Sequence, residues 1–164
     1  MNTVTSPAIR VEPRIVSRGA FRVAGLRYSG KSEHGEIPAM WDVFLPRAHE
    51  LPAVPGKENV YYGMCREIQG VSVSEGFEYL VCAEVPSFDA LPQGMEGWAV
   101  AAATYAVLPA NDVSGIGPTC DYFYGQWINH SEEYALGDGL MFEEYPPEYS
   151  TELIIYLYFP VRHK

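Results

Sequence analysis

Residues 141–161 read MFEEYPPEYSTELIIYLYFPV, two runs of alternating side chains around a Pro-Pro turn. Alternation puts Leu140, Phe142 and Glu144 on one face of a strand from Leu140 to Tyr145, with Met141, Glu143 and Tyr145 on the other. In the closing strand, Glu152 to Phe159, Leu153, Ile155, Leu157 and Phe159 share a face opposite Ile154, Tyr156 and Tyr158. PPEYS joins the two into an antiparallel pair, and Pro160 is expected to stop the last strand. An earlier pair has the same form. Val60 to Ile68 (VYYGMCREI) and Phe77 to Val85 (FEYLVCAEV) flank the loop QGVSVSEG, and Pro86 closes the second of them.

Upstream of each pair the apolar period changes from two to that of a helix. Ile37, Met40, Trp41, Phe44, Leu45 and Ala48 line one helical face, with Pro38 in the first turn and Pro46 positioned to kink or shorten the end. Cys120, Phe123, Tyr124, Trp127 and Ile128 repeat the spacing. A strand precedes each helix: Phe21 to Tyr28 (FRVAGLRY), and Trp98 to Leu108 (WAVAAATYAVL), the latter either bulged or split in two. The chain therefore reads strand-helix-strand-strand twice, with equivalent elements about 75–80 positions apart. One such unit covers a single sheet face, so two side by side bury the rest between them. The expected architecture is α+β, an antiparallel sheet of duplicated units with pseudo-twofold symmetry and a central ligand cleft. Repeat one spans about 21–86, repeat two about 98–161, and residues 1–20 form an N-terminal extension.

Composition narrows the chemistry. The chain has 164 residues, 48% of them hydrophobic, and a formal net charge of -10. That much apolar material excludes disorder, and the acidic balance disfavours direct nucleic-acid binding. The longest apolar stretch, Trp98 to Ala110, is broken by Thr104 and Pro109 and is too short to cross a membrane. MNTVTSPAIRVEPR has no apolar core of a signal peptide, which points to the cytoplasm. Cys65, Cys82 and Cys120 form no CxxC pair and read as small buried hydrophobes, and the four histidines show no ligand spacing, so neither a metal nor a cofactor is expected. Phosphate-loop and nucleophile-elbow motifs are absent.

What remains distinctive is aromatic abundance: 12 Tyr, 7 Phe and 3 Trp. If the last two strands pair face for face, Glu143 sits among Tyr145, Tyr156 and Tyr158. A carboxylate walled by rings suits a lipophilic cation, each ring adding on the order of 0.5–2 kcal/mol when desolvated. The bland alternative is a solvated glutamate beside core or edge tyrosines. Trp41, Tyr62, Trp98 and Tyr105 complete the candidate lining. Trp41 also fits a core position, Trp98 a surface or cleft-lip position, and the orientations of Tyr62 and Tyr105 depend on register.

Taken in order, FRVAGLRYSG, IPAMWDVFLPRAHEL, VYYGMCREI, FEYLVCAEV with PSFDALPQGME, WAVAAATYAVL, FEEY and IIYLYFPV resemble the segments of the GyrI-like effector-binding domain. This small-molecule module occurs at the C-terminus of many AraC- and MerR-type transcription activators and also alone. Pro109-Ala110 departs from the usual polar-Gly ending of the central strand. The resemblance covers about Phe21 to Val161 and implies the duplicated fold. It also implies that Glu143, at the position where multidrug-sensing members contact lipophilic cations, is a ligand residue, with Tyr145, Tyr156 and Tyr158 at pocket positions. The chain leaves no room for a DNA-reading domain, so the expectation is a free-standing receptor for hydrophobic, cationic small molecules. Free-standing relatives add two alternatives. One is hydrolysis of reactive cyclopropane-type genotoxins, with Glu143 as the catalytic carboxylate. The other is a protein-interaction role with gyrase or a transcription regulator.

Overall fold

A computed structural model describes residues 11–72 and 75–164. Its strands are β1 (Arg14–Arg18), β2 (Phe21–Gly30), β3 (Tyr61–Glu67), β4 (Phe77–Val85), β5 (Glu96–Val100), β6 (Ala103–Asn111), β7 (Tyr134–Leu136), β8 (Met141–Tyr145) and β9 (Ile154–His163). All pair antiparallel in the order β1-β6-β9-β8-β3-β4-β2-β5, with β7 added to β9. The α+β class and antiparallel sheet expected from the sequence are present. Each repeat gains a leading strand beyond the three anticipated. Arg14–Arg18, within the segment read as an extension, forms β1, and WAVAAATYAVL divides into β5 and β6.

These leading strands are exchanged. β1 comes just before β2 in the chain yet pairs with β6 of the second repeat, and β5 comes just before β6 yet pairs with β2 of the first. The two ladders share one register, interrupted only at Gly19-Ala20 and Ala101-Ala102. The sheet consequently curls back on itself. One face gathers Val23, Tyr62, Met64, Leu80, Trp98, Tyr105, Phe142 and Tyr158 into a core with no helical residue, all of them buried.

The opposite face carries the helices. α1 (Glu36–Phe44) starts after Gly35, whose φ of 75° is the left-handed conformation that glycine adopts without a Cβ penalty. Pro46 ends it by tightening Leu45–Glu50 into a 3-10 turn. α2 (Ile116–Tyr122) continues through a π turn at Phe123–Trp127 into α3 (Ile128–His130). The extra residue of a π turn rotates the helical face beyond it. Phe123 and Ile128 are buried, Trp127 is half-buried and Tyr124 is exposed, so the five-residue stripe read from the sequence does not all face inward. α1 packs over β2 and β4, and α2 over β6, each with its own apolar cluster; Trp41 and Tyr61 belong to both.

Pro160 does not stop β9, which runs on to His163. Its carbonyl accepts from Gly137 at 3.0 Å on the side of β7 and β8. In an antiparallel strand N–H and C=O of one residue point the same way, so the missing donor falls in the gap between β8 and β7 and the β6 ladder is intact. A short helix α4 (Tyr149–Glu152) occupies the loop before β9. Among the described residues no helix is long and apolar enough to cross a membrane.

Candidate functional site

The two repeats meet where β3 pairs with β8. Gly63 stands opposite Glu143, Cys65 opposite Met141 and Tyr61 opposite Tyr145. Alternation turns Met141, Glu143 and Tyr145 to the helix face, into the seam between α1 and α2. Glu143 is 7% exposed. Tyr79, from β4, donates its hydroxyl to Glu143 Oε1 at 2.7 Å, and Tyr145 donates to the same oxygen at 2.9 Å. Oε2 accepts from neither. Trp41 Nε1 donates to Tyr79 Oη at 3.2 Å, and its ring lies 4.7 Å from that of Tyr145. The site thus draws Trp41 and Tyr79 from repeat one and Glu143 and Tyr145 from repeat two.

Gly63 is a spatial requirement. A Cβ there would meet the Tyr79 hydroxyl and lie 2.6 Å from Glu143 Oε1. The carboxyl and phenol occupy the volume that a side chain on the facing strand would take.

No ion pair neutralises Glu143 among the described residues. Burial raises its pKa above the ordinary carboxylate value, and the two tyrosine hydrogen bonds only partly oppose this. Burial, reinforced by Glu143, raises Tyr79 and Tyr145 well above the usual phenol value, so both remain donors. The thiols beside the carboxyl behave likewise. Cys65 is raised, and Cys120 is pushed up to about 12, by burial first and Glu143 second. Neither is a thiolate nucleophile at neutral pH.

Of the eight candidate residues, the structure brings together Glu143, Tyr145 and Trp41. It corrects the placement of the other five, which face the enclosed core. Face-for-face pairing of the last two strands would set Tyr156 and Tyr158 beside Glu143. The observed register puts Leu157 opposite Glu143, Tyr156 opposite Glu144 and Tyr158 opposite Phe142, turning both tyrosines to the far side of the sheet. The Tyr158 ring stacks on Phe142 at 4.4 Å, and its hydroxyl donates to Glu144 at 3.3 Å. Tyr105 packs against both rings. The Tyr62 hydroxyl accepts from Arg18, whose guanidinium also pairs with Glu84 at 3.0 Å and lies 3.8 Å over Phe21. Trp98 donates to Glu96 at 2.9 Å and carries Arg66 over its ring at 3.9 Å. Tyr79, Gly63, Cys65 and Cys120 were not anticipated. Tyr79 shares a strand face with Phe77 and Val81 in the sequence pattern, but only the β3–β4 register (Cys65 opposite Tyr79) brings it to Glu143.

A groove of about 730 Å³ is lined by Cys65, Phe77, Tyr124, Asp138 and Met141 among others, and Glu143, Tyr79, Tyr145 and Trp41 are not in its lining. A hollow of similar size, about 720 Å³, lies between the Glu12–Ile15 segment and the end of the second helix, away from Glu143.

The chain belongs to the integron-associated effector binding protein family (Cass2), matched over residues 14–161. That range includes β1. Among characterised proteins it is similar to the transcriptional regulator BrlR of Pseudomonas aeruginosa, 36% identical over 94 residues, which is 57% of this chain and 33% of BrlR. The match thus spans about a third of that regulator's length. Among solved structures, SAV2435 bound to tetraphenylphosphonium superposes with a TM-score of 0.71 at 13% identity, covering 93% of this chain and 94% of that one. The EcmrR C-terminal domain gives 0.63 at 15% identity over 92% and 97%. The Vibrio cholerae integron cassette protein VCH_CASS2 gives 0.59 at 14% identity over 92% and 96%. At these identities the likeness concerns the fold.

Proposed function

We propose that the protein is a receptor for hydrophobic cations, with Glu143 as the charge partner and Trp41, Tyr79 and Tyr145 as the aromatic surround. One observation carries this reading: a buried carboxyl without a cation, both of whose hydroxyl donors fall on one oxygen. An uncompensated buried charge is costly. An incoming cation that pairs with Oε2 relieves that cost and favours ionisation, while the rings supply cation–π attraction. Neutral ligands gain only the apolar part. SAV2435, which shares the fold, holds tetraphenylphosphonium, a cation of this kind.

The test is calorimetric titration of wild type and Glu143→Gln with tetraphenylphosphonium and with neutral triphenylphosphine oxide. Loss of one member of a buried charge pair costs about 2–5 kcal/mol, so the cation should weaken by about 30-fold or more while the neutral compound changes little. Equal weakening of both, or of neither, overturns the electrostatic assignment.

A further inference from the structure

Glu143 is 7% exposed and lines neither hollow, so a ligand the size of tetraphenylphosphonium reaches it only when a covering element moves. The strands are fixed by their ladders. α1 is anchored by Phe44, and the second helix by Thr119 and Phe123, all three fully buried. α4 is different. It has no buried residue: Ser150, Thr151 and Glu152 are exposed, and Tyr149 is half-buried. The Tyr149 ring stands edge-on to Tyr145 at 5.2 Å, while Trp41 approaches the same ring at 4.7 Å. Tyr145, a donor to Glu143, is thus covered by one ring on an anchored helix and one on an unanchored turn.

The turn is built to move as a unit. The amide of Tyr149 donates to the carbonyl of Pro146 at 2.9 Å, that of Glu152 to Glu148 at 2.8 Å and that of Leu153 to Tyr149 at 2.9 Å, so these bonds close within the segment. Pro146 and Pro147 stand at its front, with φ fixed by their rings. At its back Leu153 is left-handed, with φ 58°, and its carbonyl accepts at 2.6 Å from the amide of Asp112, with φ 43°. Neither residue is glycine; such backbone is strained and collects at clamps and switch regions. Leaving the left-handed conformation relieves Leu153, so the hinge is loaded toward opening.

We propose that α4 is a lid on the Glu143 site, swinging between Pro146-Pro147 and Leu153, with Tyr149 as the ring that gates entry and exit of the cation. This rests on the receptor reading of Glu143 given above and adds how its ligand is exchanged. Segments with few buried contacts open well below the cost of global unfolding, as a door must.

The test is stopped-flow tryptophan emission on mixing the protein with tetraphenylphosphonium, with calorimetry for Kd. Tyr149→Ala should raise kon and koff together by about tenfold, with Kd moving by no more than about threefold for the loss of a partly exposed ring. Tyr149→Phe keeps the ring and should exchange ligand at the wild-type rate. Leu153→Asn changes an exposed side chain to one that tolerates the left-handed conformation, so the closed lid is favoured and both rate constants should fall about threefold at constant Kd. If Tyr149→Ala or Leu153→Asn exchanges ligand at the wild-type rate, or Tyr149→Ala raises koff alone, while Glu143→Gln still loses the cation, the lid fails and the receptor reading stands. If Glu143→Gln binds tetraphenylphosphonium as wild type does, both fail.

Discussion

Alanine at Gly63 should disable the site through its floor. The new Cβ would press on the Tyr79 hydroxyl and lie 2.6 Å from Glu143 Oε1. Tyr79 is 3% exposed and tied to Trp41, so its ring cannot retreat without moving its neighbours. Overpacking a core of this kind costs ~1–3 kcal/mol. Losing the Tyr79 bond to a buried carboxyl adds ~1.5–3 kcal/mol. A total of ~2.5–6 kcal/mol, in a chain of 164 residues, lowers the Tm by ~5–24 °C. Urea denaturation and scanning calorimetry both read this out. Tyr79→Phe alone forfeits the hydrogen bond without the crowding, at ~1.5–3 kcal/mol. The bond can be lost only once, so the double variant should cost less than the two single changes together by about the same ~1.5–3 kcal/mol. Additivity to within about 0.5 kcal/mol would refute the reasoning, as would an alanine variant that melts with wild type.

Protonation of Glu143 should appear in both stability and binding. Its carboxyl ionises at higher pH in the folded protein than in the unfolded chain. Between the two values the folded state holds the extra proton, so wild-type stability falls as pH rises through that window and is level on either side. Glu143→Gln should flatten this step in urea titrations across pH. Affinity for tetraphenylphosphonium should fall on acidification through the raised carboxyl pKa, because the cation selects the ionised form; a profile that breaks only in the ordinary carboxylate range would count against a buried acid. Tyr158→Phe gives the complementary control. It removes a 3.3 Å contact with Glu144 on the enclosed face, and tetraphenylphosphonium should bind this variant as it binds wild type. A tenfold loss there would return Tyr158 to the site.

The sequence was informative wherever the deciding physics is local. Period two in MFEEY and IIYLYF assigns the side chains of β8 and of β9 to their faces correctly. Helical spacing finds α1, and Pro46 marks its end. The recurrence of helix and strand pair exposes the duplication. Register is a different kind of quantity. Which face of β8 matches which face of β9 depends on the length and form of the loop between them, where α4 and a left-handed Leu153 intervene. A displacement of one residue moves every tyrosine of the closing strand to the other side, and that separates Tyr156 and Tyr158 from Glu143. Tyr79 reaches Glu143 through two ladders, from β4 to β3 and from β3 to β8, and neither is written in the alternation of its own strand. The leading strands were hidden for a related reason. RIVSR is too short and polar to announce itself, and it is held by β6, some ninety residues away in the chain.

The crossing of β1 and β5 makes the duplication indivisible. Cut between β4 and β5, each half would carry off an edge that belongs to the other and leave its own outer strand unpaired. Two separate copies of one half would recover every ladder only by lending each other their first strands, as in a domain-swapped homodimer. Fusion into one polypeptide keeps that embrace while releasing the halves from identity. At the seam one copy then holds glycine where the other holds an acid, an asymmetry that two equal partners could never reach.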